Sequence, residues 1–224
     1  MRQVKRPIQL STTQRSLLEV LSRLQYATLS QLVYWLEPKQ PTVTKTLQRL
    51  EECGLISVER GSRPYIYTAT TAGFRAAGLP MPANRRCVSW SVMAHHCHRN
   101  AAEIRLREHY RDFRFHPRHA LYALGMSPAH GEHYGQDGDG QGALVLLDDY
   151  LMPPERIPHA WTRPHTPNTR YYDLATGCVR HWRDITSRYI LAVTDRIQYE
   201  RHKAFIRQHR LEAALLFVEG LWQA

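Results

Sequence analysis

Lys45, Gln48, Arg49 and Glu52 recur at i, i+3, i+4 and i+7 within PTVTKTLQRLEECG. On a helix that spacing gathers them on one surface. Their types suit the reading of base edges in a duplex. A guanidinium such as Arg49 matches guanine O6 and N7, and a carboxamide such as Gln48 matches adenine N6 and N7. Each such bidentate contact discriminates by about 1–3 kcal/mol. Thr42, Thr44 and Lys45, nearer the start of the same stretch, suit phosphate. Arg60, Arg63 and Tyr65 follow in the turn segment ERGSRPY, where contacts to backbone or minor groove fix register more than sequence. These eight residues are the expected DNA-binding set.

A second group carries different chemistry. Asp149 and Asp195, with Lys203 or Arg196 to help the phosphate, are grouped by what a family resemblance of the whole layout implies, a pair of acids holding a divalent ion. Metal-dependent cleavage of a phosphodiester needs at least two acids converging on the ion that activates water. The plainer reading makes Asp149 a strand-end turn residue and Asp195 a helix cap. His95 and His98 flank Cys97 at i, i+3, but no spaced partner set follows them, and no metal is expected there. The glycine-rich EHYGQDGDGQG lacks the spaced carboxylates and closing glutamate of a calcium loop. No GxSxG, P-loop or GxGxxG motif occurs. No cofactor is expected, and Mg²⁺ enters only if Asp149 and Asp195 form a nuclease site.

The elements that must place these residues are legible in outline. TTQRSLLEVLSRL sets Leu17, Leu18, Leu21 and Leu24 at helical spacing behind Ser and Thr caps. After a break near Tyr26, TLSQLVYWLE repeats the pattern behind Thr28, with Leu29, Leu32, Val33 and Leu36 on one face. PKQP halts the chain. A third helix starts at Pro41-Thr42, points Val43, Leu47 and Leu50 inward and ends at Gly54. LISV and YIYT read as strands, and TTAGFRAAG as a short Thr-capped helix.

GLPMPANRRC reads as a linker, giving an N-terminal domain over 1–79, a linker over 80–88 and a second domain over 89–224. There, WSVMAHHCHRNAAEIRLREHY predicts a long helix with Met93, Cys97, Ala101 and Ile104 as its apolar stripe. EHYGQDGDGQG reads as a loop, ALVLLDDYLM as a strand, and PPERIPHAWTRPHTPNT, with five prolines, as irregular. RYYDLATGCVRHW reads as a hairpin across Thr176-Gly177, and RYILAVTD as a strand. RIQYERHKAFIRQHRL predicts a basic helix burying Ile197, Tyr199, Ala204 and Phe205. EAALLFVEGLW reads as a buried strand. The fold class is α+β, with a mixed α/β second domain.

Bulk composition fits this picture. The 224 residues carry a formal charge of +10, which favours polyanionic partners. Residues 1–80 hold 11 Lys or Arg against 5 Asp or Glu, and all 13 histidines lie beyond residue 90. No apolar run has the length of a membrane span, and the basic N-terminus lacks the apolar core of a secretory signal. Four scattered cysteines without a CxxC pair predict a reduced, cytoplasmic setting.

The order helix, helix, helix, strand, turn, strand is that of a winged helix-turn-helix. Residues 12–79 resemble the winged helix of many bacterial regulators, whose LEExGLI…G…Y.LTxxG pattern is met by Leu50-Glu51-Glu52-Cys53-Gly54-Leu55-Ile56, Gly61, Tyr67 and Thr70-Thr71-Ala72-Gly73. The whole layout resembles the replication-relaxation family of plasmid and mobile-element proteins. The likeness rests on the His95-His96 helix, LLDDYLMP and ILAVTDRIQYERHKAF. It implies a restriction-endonuclease-like second domain and, in some members, relaxase activity. Asp149 matches the acid of the family's Pro-Asp pair, with Asp148 in place of the proline. Asp195-Arg196 match its Glu-x-Asp-Arg, with Val193 where the glutamate would stand. The expectation is a sequence-specific binder of double-stranded DNA, either a transcription regulator or a plasmid transfer or replication accessory. The second domain would dimerise it, placing two winged helices on half-sites about one helical turn or a multiple apart, or hold a protein partner. The alternative is a metal-dependent nicking enzyme that finds its origin with the winged helix.

Overall fold

A computed structural model describes residues 9–36, 39–61, 63–81, 88–123, 126–162 and 181–221. The chain divides into two compact units. One is Met1–Asn100 with Leu221–Ala224, and the other is Ala101–Gly220.

The first unit begins with α1 (Thr12–Leu24). Ser11 caps it in a reciprocal box: Ser11 Oγ accepts from Gln14 N, and Gln14 Oε1 accepts from Ser11 N. A two-residue strand β1 (Ala27–Thr28) leads into α2 (Leu29–Leu36). Thr28 and Gln31 repeat the box, with Thr28 N donating to Gln31 Oε1 at 3.1 Å and Gln31 N to Thr28 Oγ1 at 3.4 Å. The third helix α3 (Gln40–Glu52) carries Pro41 in its first turn, where the missing N–H costs nothing. Then come β2 (Ile56–Glu59), β3 (Ile66–Ala69) and α4 (Thr71–Ala77). The strands pair antiparallel in the order β1-β3-β2; sequence pattern alone does not announce so short a strand as β1.

The predicted leucine stripes are where the core lies. Leu17, Leu18, Leu21, Leu24, Val43, Leu47 and Leu50 are all buried, together with Leu32, Leu55 and Phe74. Each fully buried leucine contributes about 1.5–3 kcal/mol. Gly54 takes φ +68°, the left-handed conformation that ends α3. Leu55 N then bonds Leu50 O, and Thr70 N bonds Leu55 O. Gly73 sits so close to that junction that a Cβ on it would lie 2.1 Å from Leu55 O.

Helix α5 (Trp90–Arg107) crosses the division between the units. Its N-terminal half belongs to the first unit. Gln31 Nε2 donates to Cys97 O at 2.7 Å, and Asn100 Nδ2 donates to Tyr26 O at 2.7 Å and Leu24 O at 3.3 Å. The buried stripe differs from the expected one. Ala94, Cys97, His98, Asn100, Ala102, Glu103 and Leu106 are inside, while Met93, Ala101 and Ile104 are half-buried. Burial pushes the Cys97 thiol up to about 12, so it remains a protonated packing group. His96 is pushed down to about 4, first by burial, then by Arg99 and His95.

The second unit adds β4 (Arg114–Phe115), α6 (Arg118–Ala123), β5 (Glu132–Gln136), β6 (Gly142–Asp148), α7 (Arg156–Thr162), a 3₁₀ turn at Trp182–Asp184, β7 (Arg188–Val193), α8 (Arg196–Gln208) and β8 (Ala214–Phe217). They form one mixed sheet ordered β4-β5-β6-β7-β8, antiparallel through β6 and parallel beyond it. Both faces of β6 and β7 are covered, as parallel strands require. Leu144, Leu146, Tyr189 and Leu191 pack with Ile157 and Trp182, and Ala143, Val145, Leu147, Ile190 and Ala192 pack with Ala102 and Leu106.

Four expectations change here. The glycine-rich stretch is no loop: it holds β5, a turn and the start of β6. Asp137 Oδ1 accepts from Asp139 N and Gln141 N, Arg188 pairs with Asp137 Oδ2, and Gly140 takes φ +76°. The proline-rich stretch holds α7, with Pro158 in the first turn, where proline is tolerated. Helix α8 fully buries Gln198 and His202; of the expected residues, Tyr199 and Phe205 are half-buried against the core, Ala204 is exposed and Ile197 is 80% exposed. The last strand is an edge with only Leu216 buried. The hairpin expected at Thr176-Gly177, and most of the expected linker, fall outside the described residues.

Gly73→Ala forces Cβ against the Leu55 carbonyl and lowers the unfolding free energy of the first unit by about 1–3 kcal/mol, read by urea denaturation. The His96 shift sets a pH dependence. The folded imidazole refuses the proton that the unfolded chain takes up below 6.5, so stability is full above that pH and falls as pH drops towards about 4. The loss reaches about 3 kcal/mol. His96→Gln flattens the urea midpoint across that window.

Candidate nucleic-acid interface

Helix α3 presents two faces because its leucines alternate with polar residues at helical period. With Val43, Leu47 and Leu50 inside, Thr42, Lys45, Gln48, Arg49 and Glu52 are all exposed. The structure therefore brings the expected reading residues onto one solvent-facing surface. An open concavity of about 550 Å³ runs along Gln40, Pro41, Thr44, Lys45 and Gln48. Thr44 is half-buried, and its hydroxyl donates to Gln40 O at 3.0 Å. That spends its only proton within the helix, which leaves no donor for a phosphate oxygen.

The wing is the segment between β2 and β3. Arg60, Arg63 and Tyr65 are exposed. Arg60 is already engaged: its Nη2 donates to Glu51 Oε2 at 2.7 Å, across from the last turn of α3. The guanidinium beside Glu51 holds that carboxyl below the usual carboxylate range, and the carboxylate raises Arg60 in return. Glu59 Oε1 accepts from Gly61 N at 2.8 Å. The pairing with Glu51 was missed by sequence reasoning, which treated Arg60 and Arg63 alike. The signal was a glutamate at the end of the reading helix, nine residues before an arginine that follows a four-residue strand.

In the second unit the candidate acids lie at the ends of elements. Asp195 caps α8, accepting from Gln198 N at 2.8 Å. Lys203 is exposed and lies 3.6 Å from Glu200. Asp149 is half-buried just past the end of β6. The buried acid is its neighbour Asp148, at the C-terminal end of β6. Asp148 Oδ1 accepts from Met152 N at 2.8 Å and Tyr150 N at 3.4 Å, and Oδ2 meets His202 Nε2 at 2.7 Å. Both side chains are fully inside. His202 Nδ1 and Gln198 Oε1 are buried with no hydrogen-bond partner among the described residues. In the first unit His98, the second histidine of the i, i+3 pair around Cys97, is buried, and its Nε2 accepts from Leu221 N at 3.2 Å.

Among the described residues, no helix is long and apolar enough to cross a membrane. Residues 10–77 match the penicillinase repressor family. ZitR of Lactococcus lactis, a zinc-responsive MarR family member, is 22% identical at a TM-score of 0.30, and its complex with DNA matches at 23% and 0.30; both cover 35% of this chain, and 56% and 55% of their own. BpsR of Bordetella bronchiseptica is 22% identical at a TM-score of 0.30, over 33% of this chain and 61% of its own. The chain thus spans little more than half the length of these solved chains. No curated protein matches it. Family match and strand order agree that residues 10–77 form a winged helix, followed by a mixed α/β domain.

Proposed function

We propose that this protein binds double-stranded DNA sequence-specifically through its winged helix and acts as a transcription regulator. The observation that carries the reading is the exposed Lys45–Gln48–Arg49–Glu52 face on the third helix, opposite a buried leucine stripe. A helix of that width enters the major groove, where Arg49 pairs with guanine and Gln48 with adenine. Lys45 and Thr42 near the helix start, with Arg63 and Tyr65 in the wing, contact the backbone and fix register. The match of residues 10–77 to a repressor family supports the regulatory role. A homodimer on two half-sites suits such a reader. The resemblance of LLDDYLMP and ILAVTDRIQYERHKAF to replication-relaxation proteins supports a place on a plasmid or other mobile element.

The decisive experiment selects genomic and plasmid fragments on the purified protein, without metal and with Mg²⁺ or Mn²⁺, and scores enrichment and strand breaks. The expected result is an enriched inverted repeat with intact strands. A nick at one fixed position, abolished by Asp149→Ala, makes the protein a metal-dependent nuclease instead. No enrichment at all removes the DNA reading. On the selected duplex, Arg49→Ala weakens binding by about 1–3 kcal/mol and relaxes one base position, while leaving affinity for random DNA nearly unchanged.

A further inference from the structure

The two wing arginines are not equivalent. Arg60 is tied to the recognition helix by Glu51, and the turn beginning at Arg60 is braced by Glu59 on Gly61 N. Arg63 lies beyond both contacts, exposed. Across residues 40–69 the chain holds four cations, Lys45, Arg49, Arg60 and Arg63, against three carboxylates, Glu51, Glu52 and Glu59. Over those residues the net charge is +1, and Lys39, exposed at the N-cap of α3, makes it +2.

We infer, within the DNA-binding reading, that Glu51 is a positioning residue that withholds Arg60 from DNA and uses it as a strut between recognition helix and wing. Of the two wing arginines, Arg63 alone contacts phosphate. The geometry favours a strut for three reasons. The bridge is short and charge-assisted. It joins two elements whose spacing must be fixed for helix and wing to meet the duplex together. A phosphate taking Arg60 would leave the Glu51 carboxylate facing the same polyanion, and like charges in contact repel. Arg60 and Glu51 remain solvent-accessible, with 56% and 32% of their side chains exposed, so the bridge itself is worth little to stability. Its effect falls on how many phosphates the wing neutralises.

Counterion release makes that number measurable. Each phosphate neutralised on duplex DNA contributes about 0.9 to the slope of log K against log salt concentration. Binding of the full-length protein is titrated by fluorescence anisotropy on a labelled random-sequence duplex and on the selected duplex, over a series of salt concentrations. Glu51→Gln frees Arg60: affinity rises severalfold on both duplexes and the slope steepens by about 0.9. Arg60→Ala in the wild-type background leaves the slope unchanged, and in the Glu51→Gln background abolishes the gain. Arg63→Ala makes the slope shallower by about 0.9 in either background. Circular dichroism confirms that each variant is folded. A wild-type-like slope for Glu51→Gln, or a shallower slope for Arg60→Ala alone, overturns the strut while leaving DNA binding standing. A wild-type protein that binds neither duplex at low salt removes the DNA reading itself, and the strut with it.

Discussion

The reader depends on one backbone junction, the carbonyl and amide of Leu55. Just before it, Gly54 turns the chain out of α3 in the left-handed region. Leu55 N closes the helix on Leu50 O, and Leu55 O accepts from Thr70 N, the cap residue of α4. Helix α4 then lies so near that only a hydrogen fits at Gly73. Three elements are thereby fixed at one residue: the reading helix, the strand pair that makes the wing, and the helix that follows. Thr70 adds a fourth tie through its hydroxyl, which donates to Gly54 O at 2.7 Å. A wing whose root is pinned this way keeps a constant offset from the reading helix. Register on a duplex depends on that offset more than on any single contact.

The second unit is organised around a different device. Its parallel strands β6 and β7 are apolar on both faces, so their ends are where polar groups can gather. Asp148 closes the end of β6 by accepting from two backbone amides beyond it and meeting His202 from α8. A buried pair of this kind contributes modestly to net stability, because desolvation opposes the attraction, yet losing either partner strands the other. It thus acts as a lock between strand and helix. Asp195 caps the same helix by accepting from Gln198 N. Of the two candidate nuclease acids, Asp195 is thus engaged as a helix cap, while Asp148, held at the end of β6, is the sequence neighbour of the other.

Legibility in the sequence followed the source of the signal. Helices α1 and α3 could be read because each buries one aliphatic stripe, and α2 because half-buried Leu29, Val33 and Leu36 flank its one buried leucine, Leu32. The wing strands could be read because Gly54 and Gly73 punctuate them. Helix α5 misled because it is buried through polar residues: Asn100 and His98 face inward, and Gln31 reaches its backbone. Helix α8 misled for the same reason, since Gln198 and His202 are inside while Ile197 is outside. The β5–β6 turn looked like a loop because its glycines and aspartates are those of any turn. The antiparallel pairing of β5 with β6 makes it a hairpin, and Arg188 of β7, 51 residues from Asp137 in sequence, ties its turn to the next strand. Long-range polar pairing has no periodicity, so pattern reading does not detect it.

The reading face was legible by the same logic, but its electrostatics were not. A count of charges over residues 1–80 gives an excess of six cations, and that excess suggested a basic reading surface. The folded chain places three glutamates among the four cations of helix and wing, and one of them takes an arginine. Under the proposed DNA reading, an arginine withheld by Glu51 leaves one cation fewer for counterion release, which is the term that binds all sequences alike. On that reading, directional contacts in the groove through Arg49 and Gln48 carry more of the affinity. Such contacts separate a matched site from a mismatched one, whereas charge alone does not. A regulator built on such contacts would discriminate first and adhere second, which suits a search in which unrelated sites vastly outnumber the matched one.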